Sequence, residues 1–103
     1  MVGTIAGFDW DAGNRAKCRK HGVSTAETEH VLTHDFRVIP DPAHSAIEER
    51  FRAIGRTANG RSVFLVFTIR SRAGQLLIRP ISARYMHSKE VQAYEEANPD
   101  LPD

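Results

Sequence analysis

Lys20 and His21 stand side by side just ahead of Gly22, a fixed cation next to an imidazole that can exchange a proton near neutral pH. A second set of candidate groups begins at Glu49 and Arg50. From residue 50 to residue 89 the chain carries nine bases and no acid, and eight of the nine are arginine: Arg50, Arg52, Arg56, Arg61, Arg70, Arg72, Arg79 and Arg84. The planar guanidinium fork matches phosphate or carboxylate oxygens in pairs, so the block suits a polyanion or an acidic protein. Its flanks have the opposite sign: residues 1–49 carry eight acids against five bases, and residues 90–103 carry five acids. The overall charge of +1 conceals this division. The ordinary reading of any one arginine is a surface charge, solvated or paired with Glu48, Glu49 or Glu90.

Other chemistries find less support. His30 and His34 have the one-turn spacing of a metal pair, with Asp35 or His44 as further ligands, but no glutamate completes a zinc-protease helix, and a solvated helix face is the better reading. There is no glycine-rich phosphate loop and no serine-hydrolase elbow. Cys18 is the only cysteine, which excludes an internal disulfide and two-cysteine redox or zinc motifs and makes packing its expected role. No cofactor and no metal are called for. The apolar runs at 63–67 and 76–78 fall far short of the roughly 20 residues of a membrane span, and no basic-then-apolar leader opens the chain, so a cytoplasmic protein without membrane contact is expected.

The elements that position these groups follow from local pattern. A chain of 103 residues, 41% apolar and 26% charged, is expected to form one domain, with a core over about 8–97 and a loose acidic tail at 98–103. Phe8 and Trp10 share one face of a short strand. Asp11 caps a helix running to about His21, where Gly22 stops it. Ser24 and Glu27 form a capping box for a second helix that buries Ala26, Val31 and Leu32. Phe36, Val38 and Ile39 are extended up to Pro40, and 41–45 form a turn. Three strand-like segments follow at 49–56, 62–69 and 76–84, joined by connections short enough for antiparallel hairpins. Pro80 puts the third at an edge or puts a bulge in it. A last helix begins near Ser88 and carries Val91, Tyr94 and Ala97 on one side. The expected architecture is α+β, a small antiparallel sheet of a three-stranded meander plus short N-terminal strands, packed with two N-terminal helices and one C-terminal helix.

Strand alternation sets the arginines. Arg70 ends the row of Phe64, Val66 and Thr68, and Arg84 shares parity with Ser82, Ile78 and Leu76. In a hairpin, Arg70 lies by the turn and Arg84 at the far end.

Phe8-Asp9-Trp10-Asp11, Arg19-Lys20-His21-Gly22-Val23, Glu49-Arg50-Phe51-Arg52-Ala53-Ile54-Gly55, Gly60-Arg61 and Arg79-Pro80-Ile81-Ser82-Ala83-Arg84, followed by Glu90 and Tyr94, resemble the BrnT family of bacterial toxins over residues 8 to about 96. The resemblance implies a RelE-like fold and a ribonuclease toxin of a type II toxin-antitoxin system that inhibits translation. It implies as partner a ribbon-helix-helix, BrnA-like antitoxin, through which alone operator DNA is contacted. Carried onto this chain, the family's site positions are Lys20, His21, Glu49, Arg50, Arg70 and Arg84. The expected chemistry is metal-independent RNA cleavage: Arg50, Arg70 and Arg84 hold phosphate, His21 or Glu49 takes a proton, and Lys20 or His21 returns one. The rival expectation is a non-enzymatic scaffold whose arginines receive an acidic antitoxin segment, acting in autoregulation of the operon. A third is direct binding of duplex DNA. The enzymatic reading expects the six residues to gather in one cationic pocket.

Overall fold

The computed structural model describes residues 5–40 and 49–97; the turn at 41–45 with His44, Glu48 and the acidic tail at 98–103 lie outside the described residues. The element order is β1 (Ile5–Phe8), α1 (Ala12–Arg19), α2 (Thr25–Thr33), β2 (Phe36–Pro40), β3 (Phe51–Arg56), β4 (Ser62–Arg72), β5 (Gln75–Tyr85) and α3 (Ser88–Ala97). The α+β class and the β3–β4–β5 meander are as expected. The sheet is larger than expected and mixed: five strands in the order β1-β5-β4-β3-β2, with β1 parallel to β5. β1 is thus no appendage to a meander, and β5 is not an edge strand. Trp10 falls outside β1 and donates its indole N–H to Glu29 at 2.8 Å.

Pro80 has no N–H for the ladder, and the strand accommodates it by a bulge: Val66 pairs with Ser82 but Phe67 pairs with Pro80, leaving Ile81 as the extra residue of β5. One inserted residue exchanges the faces beyond it. Ile78, opposite Ile69, therefore lies on one face, while Ser82 and Arg84, opposite Val66 and Phe64, lie on the other. This corrects the single parity expected for Leu76, Ile78, Ser82 and Arg84.

The two faces differ in character. On the first, Ala53, Val63, Leu65, Phe67, Ile78, Pro80 and Ala83 are buried, and Cys18, Val23, Val31 and Leu32 cover them from α1 and α2. Complete burial of one such aliphatic side chain contributes about 2 kcal/mol. Gly55 lies under α2, where a Cβ would stand 2.6 Å from Val31 Cγ1; glycine here permits close approach of helix to sheet. Cys18 is wholly buried, and desolvation pushes its thiol up to about 11, in keeping with a packing role. The second face carries, by cross-strand register, Arg52, Ile54 and Arg56 of β3, Phe64, Val66 and Arg70 of β4, and Ser82 and Arg84 of β5. It is an arginine face. No helix among the described residues is long and apolar enough to cross a membrane.

α1 is set on β5 by one buried side chain. Asn14 Nδ2 donates to the carbonyls of Asp9 (2.9 Å) and Pro80 (2.8 Å), while its Oδ1 accepts from the Asp11 amide in a capping box. A charged cluster reinforces this start: Arg79 meets Asp11 at 2.8 Å, and Arg72 meets Asp9 at 3.0 Å. α1 then runs toward Tyr85, and its last turn closes with the Gly22 amide donating to the Arg19 carbonyl at φ +91° for Gly22. The helix ends at Arg19, with Lys20 as C-cap, slightly earlier than expected.

Candidate active site

The end of the sheet marked by Tyr85 collects groups from four elements. Tyr85, the last residue of β5, places its hydroxyl 2.7 and 2.8 Å from the two oxygens of Glu27 and 3.4 Å from the Gly22 carbonyl. Glu27 reaches there from the first turn of α2, where its Oε1 also accepts the Ser24 amide at 3.0 Å; the expected capping box is present and has a second task. Arg61 lies over the Tyr85 ring, its guanidinium carbon 3.5 Å from the centroid. The β3–β4 turn holds Arg61 there: the Thr57 amide donates to the Arg61 carbonyl (2.9 Å), and the Arg61 amide donates to Thr57 Oγ1 (3.2 Å). Lys20 and His21, both exposed, leave α1 immediately before Gly22.

The electrostatics of this group are directional. The Ser24 amide and then the Tyr85 hydroxyl hold Glu27 below the ordinary carboxylate range, with the Arg61 charge adding to the effect. Tyr85 shifts upward, because its proton is engaged by the Glu27 carboxylate. Tyr85 thus keeps its proton and serves as a platform for Arg61, with Lys20 and His21 just ahead of Gly22 in the chain.

Arg84 faces the other side of the sheet at the same end. Its guanidinium lies 4.9 Å from the Phe64 ring centroid and grips Glu90 of α3 with both nitrogens, at 2.8 and 2.9 Å. The pairing with Glu90 anticipated as the ordinary reading is therefore present. Arg84 shifts upward and Glu90 falls to about 2, each chiefly through this hydrogen-bonded pair.

The six expected residues do not gather in one pocket. Lys20, His21 and Arg84 belong to the Tyr85 end, the last on the opposite face from Tyr85 itself. Glu49, Arg50 and Arg70 belong to the other: the Glu49 carbonyl accepts from Thr68 Oγ1, Arg50 precedes Phe51 at the start of β3, and Arg70 pairs with Leu77 near the β4–β5 turn. From Phe64, opposite Arg84, to Arg70 is about 20 Å of strand. The physical reason is hairpin geometry, which sends the two ends of adjacent antiparallel strands apart. Glu27, Arg61 and Tyr85 escaped the sequence reading of candidate groups. Their signal was present in part, since Tyr85 adjoins Arg84 and Gly60-Arg61 is one of the motifs that carry the family resemblance, but Glu27 already had a local explanation as a cap.

His30 and His34 stack, with ring centroids 3.8 Å apart, and His34 Nδ1 lies 2.7 Å from the His30 carbonyl. They act on each other and on their own helix.

A small α+β domain with one arginine-lined sheet face and an imidazole, a lysine and a stacked arginine at its rim has the equipment of a protein that works on a phosphate backbone. Residues 10–90 match the family model described as "Ribonuclease toxin, BrnT, of type II toxin-antitoxin system". The match covers most of the chain, which belongs to the BrnT family of ribonuclease toxins. A search of curated proteins found no match.

Proposed function

We propose that this protein cleaves RNA without a metal, at the Tyr85 end of the sheet, by attack of a ribose 2′-hydroxyl on its neighbouring phosphate. The P–O2′ bond forms and the P–O5′ bond breaks, giving a 2′,3′-cyclic phosphate and a 5′-hydroxyl. His21 takes the 2′-hydroxyl proton, Lys20 protonates the departing O5′, and Arg61 holds the phosphate oxygens as charge develops on them, while Arg84, at the same end but on the opposite face, holds a neighbouring phosphate of the strand. Of the two base candidates, His21 is the one placed at this end; Glu49 lies at the other. Arg50 and Arg70 grip the RNA backbone away from the reacting phosphate, with Arg52 and Arg56 between, so that the arginine face tracks the strand. The observation that carries this reading is Arg61 seated over the Tyr85 ring, 3.5 Å from its centroid, beside the exit of α1, where a guanidinium is positioned before substrate arrives.

The partners follow from the type II family: a protein antitoxin, proposed to be a ribbon-helix-helix, BrnA-like protein that covers the arginine face and contacts operator DNA on the toxin's behalf, and RNA, whose cleavage arrests translation. The second reading, a scaffold that only receives an acidic antitoxin segment, draws on one observation, that Arg84 and Arg56 already donate to carboxylates of α3.

Purified full-length protein incubated with an oligoribonucleotide in excess chelator separates the two. Cleavage with a cyclic-phosphate product, abolished in Arg61→Ala and reduced in Arg84→Ala variants that keep the wild-type circular dichroism, is expected. Undiminished cleavage by Arg84→Ala removes that residue from the site, and intact RNA with wild-type protein leaves the scaffold reading.

A further inference from the structure

α3 is held differently from the other helices. α1 and α2 bury Cys18, Val31 and Leu32 in the core, whereas α3 buries no residue fully and rests on the half-buried Val91 and Tyr94. Two glutamates tie it to the sheet: Glu90 receives both nitrogens of Arg84, and Glu95 accepts from Arg56 at 3.4 Å. Both arginines stand on the arginine face, in register with Phe64 and Ser62. A carboxylate seated on a guanidinium fork fills the positions that two phosphate oxygens take in the same bidentate arrangement. Glu90 also accepts the His87 amide at 3.0 Å, so the carboxylate sits at the start of the helix and is oriented before it meets Arg84.

We propose that α3 is a displaceable acidic strap over the RNA-binding face, in which Glu90 occupies Arg84 until an RNA phosphate replaces it. The inference rests on the ribonuclease reading above and adds self-restraint to it: the free toxin binds RNA more weakly than its arginines permit, and RNA binding lifts α3. The charge pattern of the chain has a matching form, since the acids that begin at Glu90 follow directly on the cationic block. A helix held by half-exposed ion pairs and half-buried side chains comes away more readily than helices whose apolar residues are wholly buried.

The full-length chain tests this with a 2′-O-methyl oligoribonucleotide, which has no 2′-hydroxyl to react, so that binding is measured apart from cleavage. Glu90→Gln is expected to bind about fivefold tighter than wild type, the scale of one exposed ion pair. Glu96 is the control for charge alone: it lies on the same helix, accepts from Gln92 at 3.2 Å, and Glu96→Gln is expected to stay within about twofold of wild type. In wild type, the amides of 88–97 are expected to exchange faster when the oligonucleotide is bound. Equal affinities for the two variants, or unchanged exchange in α3 on binding, overturn the strap and leave the ribonuclease reading standing. Failure of all three proteins to bind overturns both.

Discussion

The Tyr85 hydroxyl shares its proton between the two oxygens of Glu27, at 2.7 and 2.8 Å, and so fastens the last residue of β5 to the first turn of α2. The contact spans 58 positions of sequence and fixes three things together: the end of the sheet, the chain leaving α1 at Gly22, and the ring on which Arg61 lies. Tyr85 is a positioning residue in this arrangement, because its proton is committed to Glu27.

Tyr85→Phe keeps the ring beneath Arg61 and removes the hydroxyl. It is expected to cost about 1 kcal/mol of stability by leaving Glu27 with one donor fewer, while KM for RNA stays near wild type. Tyr85→Leu also removes the platform, and KM is expected to rise about three- to tenfold as Arg61 loses its orientation. Steady-state kinetics beside urea unfolding separates the two effects; equal KM values for the variants would detach Arg61 from substrate binding.

Strong acid should weaken the tie between Glu90 of α3 and Arg84. Glu90 falls from the ordinary 4.5 to about 2, through the Arg84 hydrogen bonds foremost and then the His87 amide. A carboxyl group whose value is lower in the folded than in the unfolded chain stabilises the fold fully above the unfolded value, and that contribution disappears as pH falls from about 4.5 through about 2. Asp11 and Glu27 shift in the same direction, Asp11 through the Asn14 amide and then Arg79, Glu27 through the Ser24 amide and then Tyr85. Stability measured by denaturant unfolding should therefore rise with pH across the acid range. Glu90→Gln should flatten that rise, and a carbon-detected NMR titration should find the Glu90 carboxylate protonating well below the ordinary 4.5.

Gly55 and Gly60 predict different costs for the same change. A Cβ at Gly55 meets Val31 Cγ1 at 2.6 Å and Phe36 Cβ at 3.1 Å, so Gly55→Ala must push α2 off the sheet and is expected to lose about 1–3 kcal/mol. Gly60 has open space around it but φ +83°, and Gly60→Ala should lose about 1 kcal/mol from backbone strain alone. Adding Val31→Ala should recover part of the Gly55→Ala loss and none of the Gly60→Ala loss, a double-mutant comparison read from thermal unfolding midpoints.

What the sequence determined by itself was local. Asp11 and Ser24 cap their helices, alternation marks the strands of the meander, and Pro80 requires a bulge or an edge, because each rests on contacts a few residues apart. The sequence also carried the cationic block and the motifs that place the chain among BrnT toxins. Tertiary structure alone decided which faces those charges share. The single extra residue at Ile81 moved Arg84 away from Ile78 and onto the arginine face, the parallel pairing of β1 enclosed β5, and antiparallel geometry divided Lys20, His21 and Arg84 from Glu49, Arg50 and Arg70. Contacts such as Glu27 with Tyr85 and Glu95 with Arg56 join positions far apart along the chain, and no local pattern encodes such a distance, because it is set only when strands take their register and helices settle on the sheet.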